Sequence, residues 1–244
     1  MNTFLSIFAV FLVLFIFLTI ERATRNGILA LFLKCACSLC FLIVFLTSLQ
    51  MYPSNELKVM YDFVMLALIL SLVGDLFVGL HNLDIYPISK SLSTGLKFFF
   101  MAHAFFVLSL IGGYGLDFIS FLIAFLVSLL SIPLISGLEK LKMKYFDVKF
   151  GTYKTSVMYY SAVLIFVTTF ALTLAIKTAN LVLCHFAGCL ILFLLSDLIL
   201  VKVYFSRDDR DKEYKVLKFI NLVLYYLAQF GIAALPLVMH NISS

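Results

Sequence analysis

Long apolar runs dominate the pattern of hydrophobic and polar positions along the 244-residue chain. A helix needs about 20 residues to cross the hydrocarbon core of a bilayer. The runs are continuously apolar, whereas the strands of a membrane barrel alternate polar and apolar positions. The pattern therefore predicts an all-α, polytopic transmembrane helical bundle. Its eight expected spans lie at about 3–20, 28–51, 57–80, 96–112, 116–138, 155–176, 180–204 and 216–239.

Composition supports a single transmembrane domain that covers residues 1–244. The chain is 64% hydrophobic with a mean hydropathy of +1.12, and 13% of its residues are charged. A soluble domain is about one quarter charged, so this chain is expected to present an apolar surface to lipid. All five cysteines fall within expected spans, where they are interpreted as small packing residues and not as a disulfide framework or a zinc site.

The basic residues predict how the chain is oriented. With eight spans, 16 of the 18 Lys and Arg residues lie in or near the odd-numbered loops, and Lys34 is counted with the first of these. Only Lys58 and Lys177 lie on the other side. Cytoplasmic loops carry the positive excess, so the odd-numbered loops are expected in the cytoplasm and both termini outside or in the lumen. Topology and anionic lipid account for the net charge of +5, and no nucleic-acid partner is needed.

Two similar short segments predict that the chain contains an internal repeat, with four spans in each half. Asp75 lies in "LVGDL" and Asp197 in "LLSDL", and the two positions are 122 residues apart, half the chain length. An even number of spans per half gives both halves the same orientation in the membrane.

Polar residues in five of the expected spans lie at one depth. Counting 1.5 Å per residue from the nearest basic or polar loop places them roughly 8–12 Å inside the cytoplasmic boundary. Neighbouring residues point about 100° apart, so at most one tyrosine of each adjacent pair is expected to face the interior, and Tyr160 is favoured over Tyr159. The residues of this polar layer are Asp75, His103, Tyr159, Tyr160, Asp197, Tyr225 and Tyr226, and Gln229 lies one turn deeper.

The two aspartates are the candidate catalytic residues. A carboxylate that faces lipid costs at least about 2.5 kcal/mol, so both are expected to face the bundle interior or a cavity. If they meet in one cleft, one carboxyl can stay protonated while the other ionises, which provides an acid and a base. The structural alternative is that each aspartate joins helices through hydrogen bonds. The layer offers a single histidine, His103, and no metal or other cofactor is expected.

At these residues the sequence resembles the lysoplasmalogenase family, the YhhN-like membrane proteins. The resemblance rests on the order of four segments between residues 71 and 235. They are "LVGDLFV", "FFFMAHAFF", "HFAGCLILFLLSDLILV" and "LVLYYLAQFGIAAL". It implies Asp75 and Asp197 as catalytic groups. The residues implied to bind or orient the substrate are His103, Ser196, Tyr225, Tyr226 and Gln229, and Tyr160 joins these candidates from its place in the polar layer.

The resemblance implies a hydrolase that cleaves the vinyl-ether bond of lysoplasmalogens. The products are a fatty aldehyde and glycerophospho-ethanolamine or -choline, and the partners are a lysophospholipid substrate and membrane lipids. Sequence alone leaves open which aspartate is the acid, the headgroup and the oligomeric state. A proton-coupled transporter that uses the buried carboxylates is the main alternative. A structural or lipid-binding protein and a metal-dependent lipid hydrolase are the others.

Overall fold

The computed structural model describes residues 2–24, 27–81, 83, 88–138, 140, 148–205 and 211–243. Within these ranges the chain forms helices and no strand, as predicted. A short turn of 3-10 helix, Gly151–Tyr153, precedes the sixth α-helix. The α-helices are α1 (Asn2–Thr24), α2 (Ile28–Met51), α3 (Lys58–His81), α4 (Ile88–Tyr114), α5 (Phe118–Leu138), α6 (Lys154–Thr178), α7 (Leu181–Phe205), α8 (Asp211–Ala233) and α9 (Leu235–Ser243).

Seven helices, α2 to α8, are long and apolar enough to cross a membrane, counted over the described residues. This confirms the predicted polytopic helical bundle. The first expected span corresponds to α1, and its crossing of the membrane stays a prediction. The eighth expected span was wrong at its end, because α8 ends at Ala233 and a separate helix begins at Leu235. Pro236 explains the break, since its ring blocks the preceding turn and it has no N–H to continue the helix.

The chain divides into two compact units. The first unit is Met1–Gly113 with Ile232–Ser244, and the second is Tyr114–Gly231. In the first unit, α2 packs against α1, α3 and α9. Helix α4 approaches α3 closely at Gly95, where a Cβ atom would lie 2.8 Å from Val78 Cγ2 and 3.2 Å from the Gly74 carbonyl oxygen. The small residue therefore permits contact between the two helix backbones.

In the second unit, α6 packs against both α5 and α7. The Ser128 hydroxyl donates to the Ala162 carbonyl across α5 and α6 at 2.8 Å. Asn180 begins α7, because its side-chain oxygen accepts from the two backbone N–H groups of Val182 and Leu183. These contacts fix the order α5–α6–α7 that positions the candidate site.

Asp117 stabilises the start of α5, outside the membrane-spanning segments. Its carboxylate accepts from the Ser120 N–H at 3.0 Å and pairs with the Lys177 ammonium at the end of α6. The hydrogen bond from Lys177, followed by those from Ser120, lowers the pKa of Asp117 to about 2.

Contacts inside the two units repeat at the offset of 122 residues. Asp75 accepts a hydrogen bond from Ser38, and Asp197 accepts one from Tyr160, with 37 residues between the partners in each case. The residue before each aspartate contacts the following helix, and these contacts also correspond at the offset of 122 residues. Gly74 faces the Phe99 ring, and Ser196 bonds to Asn221. All these positions are related by the same shift.

The buried faces of α3 and α7 follow the same rule. Seven of the ten buried positions of α3, from Met60 to Gly74, fall on buried positions of α7 when shifted by 122, from Val182 to Ser196. Shifting the alignment of the two helices by one residue would rotate one buried face by about 100° relative to the other, and the buried positions would no longer match. The matching faces and matching contacts support the predicted repeat.

Candidate active site

Asp75 joins α3 to α2 inside the first unit. Its side chain is 1% exposed, and both of its oxygens are engaged. The Lys34 ammonium lies 2.6 Å from Oδ1, and the Ser38 hydroxyl donates to Oδ2 at 2.6 Å. Lys34 and Ser38 are four residues apart, so they lie on one face of α2. Asp75 is therefore half of a buried ion pair that cross-links two helices.

Lys34 lies within α2, inside the expected span 28–51, although the topology prediction counts its charge with the first loop. Lys34 is the seventh residue of α2 and is buried. A carboxylate inside an apolar bundle is stabilised by a cation at the same depth, and Lys34 supplies that cation. Sequence reasoning missed both Lys34 and Ser38 as partners of Asp75. The available signal was the i, i+4 spacing of two polar residues within an otherwise apolar run.

Asp197 joins α7 to α6 inside the second unit, and it differs from Asp75 in accessibility. Its side chain is only half-buried, and Oδ2 accepts a hydrogen bond from the Tyr160 hydroxyl. Tyr160 is 5% exposed, whereas the adjacent Tyr159 is 63% exposed. One tyrosine of this pair thus faces the interior and the other faces outward.

Ser196 holds α7 against α8 beside the aspartate. It is fully buried, and the Asn221 amide donates to its carbonyl at 2.7 Å and to its hydroxyl oxygen at 2.8 Å. The Ser196 hydroxyl in turn donates to the Asn221 carbonyl at 3.1 Å. Sequence reasoning missed Asn221, although an amide in an apolar helix is itself a signal of a polar partner. This paired contact fixes the rotation of α7 next to Asp197.

Tyr225, Tyr226 and Gln229 line the adjoining face of α8. Both tyrosines are buried, at 6% and 2% exposure. The expectation that at most one would face the interior was wrong for this pair, because the buried face of α8 is wide enough to cover neighbours that point about 100° apart. Gln229 Nε2 donates to the Tyr225 hydroxyl oxygen at 3.2 Å. The Oε1 atom of Gln229 is buried without a hydrogen-bond partner among the described residues.

Phe193 of α7 contacts Tyr225 of α8. Its ring centroid lies 5.3 Å from that of Tyr225, in an edge-to-face arrangement. Phe193 precedes Asp197 by four residues and therefore lies one turn away on the same face of α7. Two polar pairs of the second unit, Tyr160 with Asp197 and Gln229 with Tyr225, are thus carried by helices α6, α7 and α8.

His103 lies in α4 of the first unit and is fully buried. Its Nδ1 atom is 2.7 Å from the Phe99 carbonyl oxygen. Because a carbonyl only accepts, this contact assigns the imidazole proton to Nδ1 and leaves Nε2 as an acceptor. The bond stays within one helical turn, so it orients the ring without joining α4 to another helix.

The predicted site residues are divided between the two units. Asp75 and His103 belong to the first unit, and Asp197 with the remaining predicted residues belongs to the second. The meeting of the two carboxyl groups in one cleft stays a prediction. Within the part of the chain that is described, no group of three or more His, Cys, Asp or Glu side chains is placed to hold a metal ion.

Comparison with protein-family models identifies the family to which the chain is similar. The model of the YhhN family matches residues 29–235, which include every predicted site residue. No curated protein and no solved structure matches the chain.

Proposed function

The chain belongs to the YhhN family, and from this premise we propose that it is an integral membrane hydrolase of lysoplasmalogens. It adds water to the vinyl-ether bond and releases a fatty aldehyde and a glycerophospho-ethanolamine or -choline. The proposal rests on one observation, the half-buried carboxyl group of Asp197 bonded to the Tyr160 phenol. A half-buried group inside an apolar helix is open to a lipid and yet shielded from bulk water.

The reaction requires a proton donor, an anion beside a cation, and an acceptor for a proton from water. Asp197 supplies these roles in turn. Its carboxyl group protonates the vinyl carbon remote from the ether oxygen, and an oxocarbenium ion forms. The resulting carboxylate stabilises that cation and then takes a proton from the attacking water. The hemiacetal breaks at its carbon–oxygen bond to give the aldehyde and the free glycerol hydroxyl, and Asp197 is protonated again.

The neighbouring side chains support this cycle in different ways. The Tyr160 hydroxyl donates to Oδ2 and so stabilises the carboxylate that forms after proton transfer. The Ser196–Asn221 contact orients the α7 turn that carries Asp197. Gln229 Oε1, together with Tyr225, accepts a hydrogen bond from the attacking water. Tyr226 is buried, with its ring centroid 5.1 Å from that of Tyr225, and it shapes the apolar wall of the site. His103 belongs to the first unit and has no assigned step in this cycle.

Asp75 has a positioning role in this proposal. Both of its oxygens are bonded to α2 and its side chain is buried, so contact with the reacting atoms would require breaking the Lys34 ion pair. The same pair favours the second candidate function, a proton-coupled transporter, because buried charge pairs in membrane helices also serve as proton relays. In either case we propose that the basic odd-numbered loops face the cytoplasm.

The experiment is an aldehyde-release assay on detergent-purified protein supplied with a lysoplasmenyl lipid. Asp197→Asn is expected to lower kcat at least about 100-fold, since general acid–base catalysis contributes that much. Tyr160→Phe is expected to lower it about tenfold through loss of one hydrogen bond to a charged group. Asp62→Asn is the matched control, because Asp62 is an exposed carboxylate on α3.

Two results would contradict the proposal. Absence of aldehyde release from folded protein would contradict the hydrolase function. Full turnover by Asp197→Asn would contradict the assignment of Asp197 as the proton donor. Proton-coupled solute uptake into liposomes, without aldehyde release, would establish the transporter instead.

A further inference from the structure

Three lysines lie near one end of the α6–α7 pair. The Lys149 N–H donates to the Phe205 carbonyl at 2.8 Å, which fixes the segment before α6 against the last residue of α7. Lys154 begins α6 next to Tyr153, whose ring centroid is 5.8 Å from that of Phe205. Lys202 precedes Phe205 by three residues in α7. We call Lys149, Lys154 and Lys202 the lysine cluster.

A rigid aromatic base supports the cluster. Phe150 is buried, and its ring centroid lies 5.2 Å from that of Phe205 in an edge-to-face contact. The side chains of Lys154 and Lys202 are half-buried, and that of Lys149 is exposed. The backbone that carries the three lysines is thus held in place by aromatic contacts, and each lysine side chain is at least partly exposed.

We propose that the lysine cluster binds the phosphate of a lysophospholipid whose vinyl-ether bond lies at Asp197, an inference that rests on the proposed function. The offsets along the two helix axes agree with this placement. Lys202 follows Asp197 by five residues, about 7.5 Å along α7, and Lys154 precedes Tyr160 by six, about 9 Å along α6. Because α6 and α7 are antiparallel neighbours, both displacements point toward the same end.

The substrate has the matching length. Six covalent bonds separate the vinyl-ether carbon next to the oxygen from the phosphorus atom. An extended chain advances about 1.2 Å per bond, so the two atoms lie about 7 Å apart. A phosphate at that distance comes within reach of flexible lysine side chains, and charge-assisted hydrogen bonds to ammonium groups are among the strongest that proteins form. The lysine cluster therefore accounts for a preference for a phosphate-bearing lysolipid over a neutral alkenylglycerol.

A binding experiment tests the site separately from catalysis. The ligands are a 1-O-alkyl lysophosphatidylethanolamine and the 1-O-alkylglycerol of the same chain length. Both carry a saturated ether, so neither is a vinyl-ether substrate. Dissociation constants are measured on the detergent-purified full chain. The parent is expected to bind the phospholipid at least about tenfold more tightly than the glycerol ether.

The variant K149Q/K154Q/K202Q is expected to reduce that ratio to nearly one, and Lys202→Gln alone is expected to reduce it in part. The control K58Q/K90Q/K97Q removes the same charge from the first unit and is expected to leave the ratio unchanged. Circular dichroism checks that each variant is folded. An unchanged ratio in the lysine-cluster variant, or equal loss in the control, would overturn the proposal.

Two further arms separate the alternatives. Inorganic phosphate is expected to compete only at much higher concentration than the lysophospholipid, and competition at equal concentration would assign the cluster to free phosphate and overturn the lipid assignment. With lysoplasmenyl substrate, the lysine-cluster variant is expected to raise KM about tenfold at unchanged kcat. If no preparation releases aldehyde, the hydrolase proposal fails, while the ratio of dissociation constants still decides the phosphate site.

Discussion

The buried ion pair between Lys34 and Asp75 makes a sharp prediction about stability. Lys34 Nζ lies 2.6 Å from Asp75 Oδ1, and both side chains are almost completely buried. Removing one partner leaves the other charge in apolar surroundings, which costs about 3–5 kcal/mol. We therefore expect Lys34→Met and Asp75→Asn each to lower the free energy of unfolding by about that amount.

The double variant K34M/D75N is expected to behave differently. It removes both charges, keeps side chains of similar length, and leaves an amide oxygen that still accepts from Ser38. Replacing a buried pair with uncharged groups is often nearly neutral, so we expect its free energy of unfolding to lie within about 1 kcal/mol of the parent. The measurement is reversible chemical unfolding in detergent micelles, analysed as a double-mutant cycle.

The same variants test the role assigned to Asp75. Because the double variant keeps the fold without a carboxylate at position 75, we expect it to retain most of the aldehyde-releasing activity. A stable double variant without activity would show that Asp75 contacts the reacting atoms. A coupling energy near zero, or a Lys34→Met variant as stable as the parent, would refute the argument from the ion pair.

Two other predictions concern stability alone. Gly95→Ala is expected to cost about 1–3 kcal/mol, because its Cβ would crowd Val78 and the α3 backbone. Gly188→Ala, with open space around it, is the control for thermal unfolding, and equal effects would contradict the close approach. The Lys177 hydrogen bond lowers the pKa of Asp117 to about 2, so its stabilisation is complete above about pH 4 and lost toward pH 2. In the Asp117→Asn variant, the unfolding temperature is expected to depend less on pH between about pH 4 and pH 2 than in the parent. The same dependence on pH in both proteins would contradict the stabilising role of Asp117.

Hydropathy predicted most of the fold because a bilayer sets one length for every span. The apolar runs from residue 28 to residue 233 became α2 to α8. One boundary that failed is where apolar character does not decide the helix end, because Pro236 divides an apolar run. Lys34 lies inside α2, within the expected span, although its charge is counted with a loop.

Pairing between helices lay beyond the sequence analysis. Asp75 was recognised as a buried carboxylate, yet its partners Lys34 and Ser38 come from another helix about 40 residues earlier. Likewise, Tyr160 was favoured over Tyr159, but the bond to Asp197 depends on the packing of α6 against α7. A helical wheel gives the direction of a side chain and not the neighbour that it meets.

The sequence by itself determined the transmembrane helical class, the approximate spans, the offset of 122 residues and the two aspartates, because these depend on composition and local order along one chain. Tertiary structure decided that the aspartates are not equivalent. Packing of α2 on α3 gives Asp75 a buried counter-ion, whereas packing of α6 on α7 gives Asp197 a phenol and leaves it half-buried. The physical reason is that the charge and access of a carboxyl group are set by atoms from neighbouring helices, and hydropathy carries no information about them.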